Sequence, residues 1–391
     1  MPREKNGHVF SSLPQLRFFS VLVWFNYSAV LPLGVEEWGL SGTQAGIVFG
    51  AFQAGYLVAI VPADWLADRY SPRWVIAIGA TGTGLPSLGF AVIADGFLIG
   101  TVLRFLSGLF VAGVYVPGMR FVSDWYPEAV RGRALGLYIG TYELGSGLSF
   151  VFATVAAEAV NWQLAIGVTS IGALFVAPVV LGLTRDSPER TISSATFDLS
   201  LLKNAEFLSA ISIYSWHNWE LFGVRNWLLA FLVATPAFAA VDSTVLPGLV
   251  VGAMIIMSGA GNTAGGWLSD RLGRPQTIAI GLGLSTLLSA VFGLLGGLAL
   301  LILVTLTLIY GVVLALDSAP TSTLVTEVVP DEHIGTALSV QSLAGFSTTV
   351  VSPIVFGIAL DQSGYSVAFL TLAAGAFLGL LSVGALVWVR Q

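Results

Sequence analysis

The sequence predicts an all-α membrane protein, with twelve transmembrane helices in two pseudo-symmetric six-helix bundles. Three observations predict it. Of 391 residues, 55% are hydrophobic and only 10% are charged, with a mean hydropathy of +0.86, whereas soluble domains carry about 25% charged residues. The apolar residues are gathered into runs of roughly 18 or more, the length that crosses a bilayer. An Asp-Arg motif recurs half a chain apart, each time after the second run of a set of six.

Lipid offers no partner to an unpaired backbone amide, so runs of this length must be helical. A closed barrel would need short alternating strands, and none are seen. The first run, 16–35, is not a short apolar core followed by a small-residue cleavage site, and reads as a retained helix. The second, 43–63, runs into DWLADRYSPR, Asp64 to Arg73. The third, 74–94, and the fourth, 97–119, flank Asp95, and the fourth carries Arg104. The fifth, 134–157, and the sixth, 162–183, flank Glu158 and complete the first set. The seventh, 205–233, holds SWHNWELFGVRNW, Ser215 to Trp227. The eighth, 246–267, runs into GGWLSDRLGRP, Gly265 to Pro275. The ninth, 276–296, precedes the tenth, 298–323, which carries Asp317; the eleventh, 336–359, and the twelfth, 367–389, flank Asp361. The expected division is an N-terminal bundle over 1–183, a cytoplasmic central loop over 184–204 and a C-terminal bundle over 205–391.

Basic residues near span ends set the orientation. With the N-terminus inside, 14 of the 16 lysines and arginines fall on cytoplasmic segments, and the outer loops carry only acids. The expected location is therefore the plasma membrane, with both termini cytoplasmic. The formal net charge of -6 says little about partners, and no nucleic-acid partner is expected. Cysteine is absent, which removes disulfides, thiolate catalysis and thiolate metal sites. His8, His217 and His333 are too far apart in sequence for a local metal motif. No loop could hold a soluble catalytic domain, and the phosphate-cradling Gly-x-x-x-x-Gly-Lys pattern does not occur. Neither an enzyme, a metal nor a cofactor is expected.

The paired motif is specific enough to name a resemblance. Gly266-Trp-Leu-Ser-Asp270-Arg271-Leu-Gly273-Arg274 matches G-x-x-x-D-R-x-G-R, the loop motif of the major facilitator superfamily. The first copy departs from it, with Asp64 for the first glycine, Ser71 for the second, and Pro72 then Arg73 in place of the arginine. Arg104 to Gly108 is similar to the family's R-x-x-x-G signature. Trp125-Tyr126-Pro127 through Arg131-Gly132-Arg133-Ala134 resembles a loop of its anion-transporting branches. The resemblance covers the whole chain and implies the family's fold, with secondary active transport by alternating access. It also implies that the first, fourth, seventh and tenth helices line a central cavity. A monomer embedded in the lipid bilayer is expected.

Six ionisable side chains lie inside the spans: Arg104, Glu143, His217, Glu220, Arg225 and Asp317. A charge at a helix centre costs about 2.5 to 3.5 kcal/mol, so five unpaired charges would cost on the order of 15 kcal/mol, as much as a typical fold is worth. They must pair, neutralise or line a wet cavity. On the seventh helix, His217, Glu220 and Arg225 share an arc of about 140°. His217 and Glu220 are three apart and can touch. Glu220 and Arg225 diverge, so Arg225 needs a partner elsewhere.

Arg104 and Arg225, with His217, Asn26 and Tyr27, are the expected contacts of an anionic small-molecule substrate, because a guanidinium stays charged and grips an oxyanion through two hydrogen bonds. Arg104 has a second reading as a brace on backbone carbonyls. Glu220 is the expected site of a coupling proton, with Glu143 and Asp317 as second choices; Asp317 has an alternative as a solvated residue at the mouth of the tenth helix. Asp68, Arg69, Arg73, Asp270, Arg271 and Arg274 are expected to gate transport through ion pairs that break and re-form, or else only to cap helices. Proton-coupled uptake of a small anion is the leading expectation. Proton-driven efflux of organic compounds and a transporter-like sensor are the alternatives.

Overall fold

The apolar runs become helices throughout. The computed structural model describes residues 7–126, 128–187 and 199–391; Pro127 and the middle of the 184–204 loop lie outside these. In chain order the α-helices are α1 (Gly7–Trp38), α2 (Gly42–Arg69), α3 (Pro72–Ile93), α4 (Phe97–Trp125), α5 (Glu128–Ala159) and α6 (Trp162–Leu183). They continue with α7 (Ala205–Val233), the single turn α8 (Pro236–Ala239), α9 (Val245–Leu272), α10 (Arg274–Phe292), α11 (Leu300–Leu314), α12 (Ser318–Glu327) and α13 (Ile334–Val389). No strand occurs among the described residues.

Nine helical stretches among the described residues are long and apolar enough to cross a bilayer, with α11 and α12 counted as one. The 56-residue α13 supplies two passes, because Gly364 at φ 76° kinks it between the predicted eleventh and twelfth spans. The more heavily charged α5 and α7 bring the total to twelve, in agreement with the predicted fold class.

The tenth span differs from its prediction as one continuous helix. It breaks at residues 315–317 into α11 and α12, with Asp317 at the N-cap of the second piece. Pro320 has no N–H to return to the carbonyl of Leu316, which weakens the helix at that turn.

The chain divides into two compact units, Met1–Gly39 with Ala51–Ser193, and Leu40–Gly50 with Ser194–Gln391. In the first, α1 packs on α5 and α6, and α3 packs on α4 and α6. In the second, α7 and α10 pack on α13, and α9 packs on α11. Also in the second unit, Asp361 caps the first turn of α2, accepting from the Gly42 and Thr43 amides at 2.6 and 2.8 Å.

Burial is inverted relative to a soluble protein. Large apolar side chains such as Leu98, Leu287 and Leu301 face outward, while Ser107, Ser149, Thr154, Ser289 and Thr307 are fully buried. Hydrocarbon rewards exposed leucine, and small or hydroxylated residues let helices approach and bond to one another. Side-chain caps fix the helix starts: Asn161 accepts from the Leu164 amide at 2.8 Å, and Asn204 from the Glu206 amide at 2.9 Å.

Candidate functional site

In the first unit, the buried charge belongs to Arg104 on α4, only 2% exposed. One terminal nitrogen donates to the Val23 carbonyl and to Asn26 Oδ1, both at 3.1 Å, and the other donates to the Trp24 carbonyl at 3.2 Å. The guanidinium lies 4.3 Å from the Phe52 ring centroid and 5.7 Å from that of Tyr27. Asn26 passes the network on through its amide, donating to Ser87 Oγ at 3.3 Å and Thr169 Oγ1 at 3.0 Å. Ser170 joins Ser87 at 2.7 Å. One asparagine thus ties α1 to α3, α4 and α6 around a cation. Two of these partners are backbone carbonyls, the kind of contact a brace makes, and no carboxylate among the described residues pairs with Arg104. Tyr27 is buried beside it at 1% exposure.

The second unit buries two acids and a histidine as well as a cation, Arg225. His217 on α7 meets Asp317 at the helix break, with Nδ1 3.0 Å from Oδ1, while its Nε2 lies 3.0 Å from Ser318 Oγ. Glu220, one turn along α7, accepts from Ser285 Oγ at 2.6 Å and from Ser289 Oγ at 2.5 Å, both on α10. Ser289 in turn meets the Tyr310 hydroxyl of α11. All of these except Ser318 are buried. The contact allowed between His217 and Glu220 is therefore not made, because each finds a partner on another helix. Asp317, 2% exposed, is an interior residue rather than a solvated one at a helix mouth.

The opposite side of α7 holds it in this rotation: Trp219, two residues past His217, donates its indole N–H to the Thr371 carbonyl of α13 at 3.0 Å. Arg225 lies on the same helix, 1% exposed. Glu143 is half-buried on α5.

The two loop motifs are wired differently. Asp68 pairs with Arg120 of α4. Ser71 compensates for the missing glycine of the first copy: it caps α3, accepting from the Trp74 amide at 3.3 Å, and donates to Asp186 at 2.5 Å. Arg73 donates to the carbonyls of Val180 and Leu181 at the end of α6. In the second copy, Gly273 takes φ 95°, a conformation open to glycine and costly for other residues. Arg274 bonds Asp270 at 2.7 Å and Ser269 at 2.6 Å, and reaches Glu327 at 3.3 Å. Arg69 and Arg271 instead lie over Trp65 and Trp267.

A family model described as Major Facilitator Superfamily matches residues 16–247 and 242–391. The chain belongs to the Major Facilitator Superfamily. It is a multi-pass membrane transporter and not an enzyme. A protein named as a probable sulfoacetate transporter of Cupriavidus necator is 25% identical, over 98% of this chain and 93% of its own length. The hexuronate transporter of Bacillus subtilis is 24% identical, over 93% of this chain and 91% of its own. The D-galactonate transporter of Escherichia coli is 23% identical, over 89% and 87%. Among solved structures, a bacterial homologue of the human lysosomal transporter Spinster superimposes with a TM-score of 0.83 at 15% identity, covering 100% of this chain and 98% of that one. The peptide transporter POT in complex with sulfate gives 0.80 at 15% identity, over 98% and 94%. At such identities the structural likeness speaks for the superfamily fold alone.

Within this superfamily member, sequence reasoning did not anticipate Ser285, Ser289, Tyr310 and Ser318 as partners of the embedded acids and histidine, or Arg120 as the partner of Asp68. Ser285 and Ser289, four apart on one helix face, were the one readable signal.

Proposed function

We propose that this transporter carries a small organic anion, a carboxylate or sulfonate, into the cell in symport with protons by alternating access. The observation that carries the anion is Arg104: a buried guanidinium whose donors go to carbonyls, an asparagine and aromatic rings, with no acid among the described residues to neutralise it. A charge of this kind inside a membrane costs about 2.5 to 3.5 kcal/mol, and an anionic substrate lowers that cost when it arrives. The sulfoacetate, hexuronate and D-galactonate transporters to which the chain is similar support the same chemistry. Arg225 is the second basic contact for substrate, with His217, Asn26 and Tyr27 shaping its surroundings.

Glu220 is the proton site in this reading. Its carboxylate is buried and accepts from two serine hydroxyls on α10, partners that can both donate and accept and so stay bonded whether or not the carboxyl carries a proton. Asp317 and Glu143 stand behind Glu220 for this role. The protein works as a monomer in the plasma membrane, with cytoplasmic termini and two six-helix bundles, 1–183 and 205–391, joined by a cytoplasmic loop. Asp68 and Asp270, with their arginine partners, set the rate of the conformational step.

A ligand-stability screen of the purified chain tests the substrate class. Organic sulfonates, uronates and aldonates are expected to raise the melting temperature, and Arg104→Lys is expected to weaken that rise at least about tenfold in apparent Kd, because an ammonium cannot reproduce a two-point grip. Stabilisation by neutral or cationic compounds alone, unchanged in Arg104→Lys, would overturn the anion assignment and favour efflux of organic compounds.

A further inference from the structure

The two loop motifs share more than the family pattern requires. Each reads Trp-Leu-x-Asp-Arg: Trp65 to Arg69 at the end of α2, and Trp267 to Arg271 at the end of α9. The tryptophan and arginine are four apart and so share a helix face. In each case the guanidinium lies over the indole, 3.8 Å from the ring centroid for Arg271 and 5.7 Å for Arg69. Both rings are open to the surroundings, Trp65 at 54% and Trp267 at 57% exposure, and both arginines are exposed.

The intervening aspartates do not neutralise these arginines. Asp68 is engaged by Arg120, and Asp270 by Arg274. No carboxylate among the described residues forms an ion pair with Arg69 or Arg271. A guanidinium resting on an aromatic ring presents the edge that still carries free N–H groups, and two parallel N–H bonds match an anionic oxygen pair. A bare indole at the end of an apolar helix sits at the depth of lipid headgroups. Charge, geometry and depth converge on one ligand.

We propose that each Arg–Trp pair, Arg69 on Trp65 and Arg271 on Trp267, is a binding site for the headgroup phosphate of an anionic phospholipid in the leaflet that its own helix end meets. The two sites are unequal. Arg271 is stacked closely and fixes its edge for a two-point contact. Arg69 is held more loosely, and its site is widened by the exposed rings of Tyr70 and Trp74, with Tyr70 centred 6.4 Å from Trp65. The second site therefore binds more tightly and discriminates more strongly for charge. These assignments rest only on the chain lying in a bilayer, and stand apart from the choice of transported substrate.

The test uses the full chain in nanodiscs of phosphatidylcholine with a rising fraction of phosphatidylglycerol, read by melting temperature and by phospholipid retained in native mass spectrometry. The wild type is expected to melt higher as phosphatidylglycerol rises and to retain two such lipids. Arg271→Ala is expected to lose more than half of that rise and one retained lipid; Arg69→Ala with Arg271→Ala should lose both. Arg271→Lys and Trp267→Leu should fall between wild type and Arg271→Ala. Equal melting of all variants in pure phosphatidylcholine separates lipid binding from a folding defect. A full phosphatidylglycerol response in the double variant would overturn the proposal, and so would the same response produced by inorganic phosphate in phosphatidylcholine discs.

Discussion

The first unit buries the cation Arg104, and the second buries two acids and a histidine along with a cation, Arg225, so the two meet the same membrane problem differently. Arg104 is met by backbone carbonyls of α1, by Asn26 and by two aromatic rings. Glu220 and Asp317 are met by the hydroxyls of Ser285 and Ser289 and by an imidazole. A guanidinium does not release its proton in a protein, so the first arrangement is able to hold an anion but not to exchange a proton. Carboxylates and imidazole change charge, and hydroxyl partners, which both donate and accept, remain bonded through that change. In the proposed reading the first unit's cation serves substrate alone, while the second unit sets its titrating groups on the same helix as a further basic contact for substrate, Arg225.

The largest effect is expected where proton coupling would fail outright. Glu220→Gln retains the hydrogen bonds to Ser285 and Ser289 but removes the titrating group, so proton-driven accumulation in proteoliposomes should fall at least about 100-fold, in the range typical of lost proton transfer. Counterflow exchange, which needs no net proton movement, should persist. Undiminished accumulation would remove Glu220 from coupling and leave Asp317 or Glu143 to supply it.

A smaller effect separates a true pair from two neighbours. Leaving a buried polar group without its partner costs about 1 to 3 kcal/mol, so Asp317→Asn and His217→Gln should each destabilise the protein by about that much in reversible unfolding. The double variant should cost less than the sum of the two, by about 0.5 to 3 kcal/mol. Strict additivity would mean that the imidazole and the carboxylate act separately, and that the second unit has one coupling site rather than a linked pair.

The fold was legible because lipid leaves the backbone no choice: long apolar runs must close their own hydrogen bonds, and their length counts the passes. The break in the tenth span was partly legible through Pro320. Its position at residues 315–317 depends on contacts that a single helix does not encode, namely His217 pairing with Asp317, and Gly281 on α10, where an added Cβ would lie 3.0 Å from the Asp317 Cβ. The embedded charges were legible as a set, since each is rare in such a sequence. Their partners were not. His217 and Glu220 satisfied the helical spacing for a local contact, yet tertiary partners on α10 and at the α11–α12 break won. The carbonyls of Val23 and Trp24 that brace Arg104 belong to the backbone and leave no trace in side-chain identity.

The smallest effect concerns the loop motifs, where the contrast between units continues at the helix ends. Asp68 and Arg120 are both about one-fifth exposed and tie α2 to α4, whereas Asp270 is 71% exposed and its bond to Arg274 spans only the short turn from α9 to α10. An exposed pair contributes about 0 to 1 kcal/mol, and a bond across one short turn restrains little beyond that turn. A change of about 1.4 kcal/mol in the barrier to the conformational step alters turnover about tenfold. Asp68→Asn should therefore slow transport by up to about tenfold while leaving substrate Kd nearly unchanged, and Asp270→Asn should slow it by less than about threefold. Exchanging the charges, Asp68→Arg with Arg120→Asp, should recover part of the loss if the tie itself sets the rate. A slower Asp270→Asn than Asp68→Asn would reverse the ranking and place the rate-setting contact in the second unit, on the Arg274 link to Glu327.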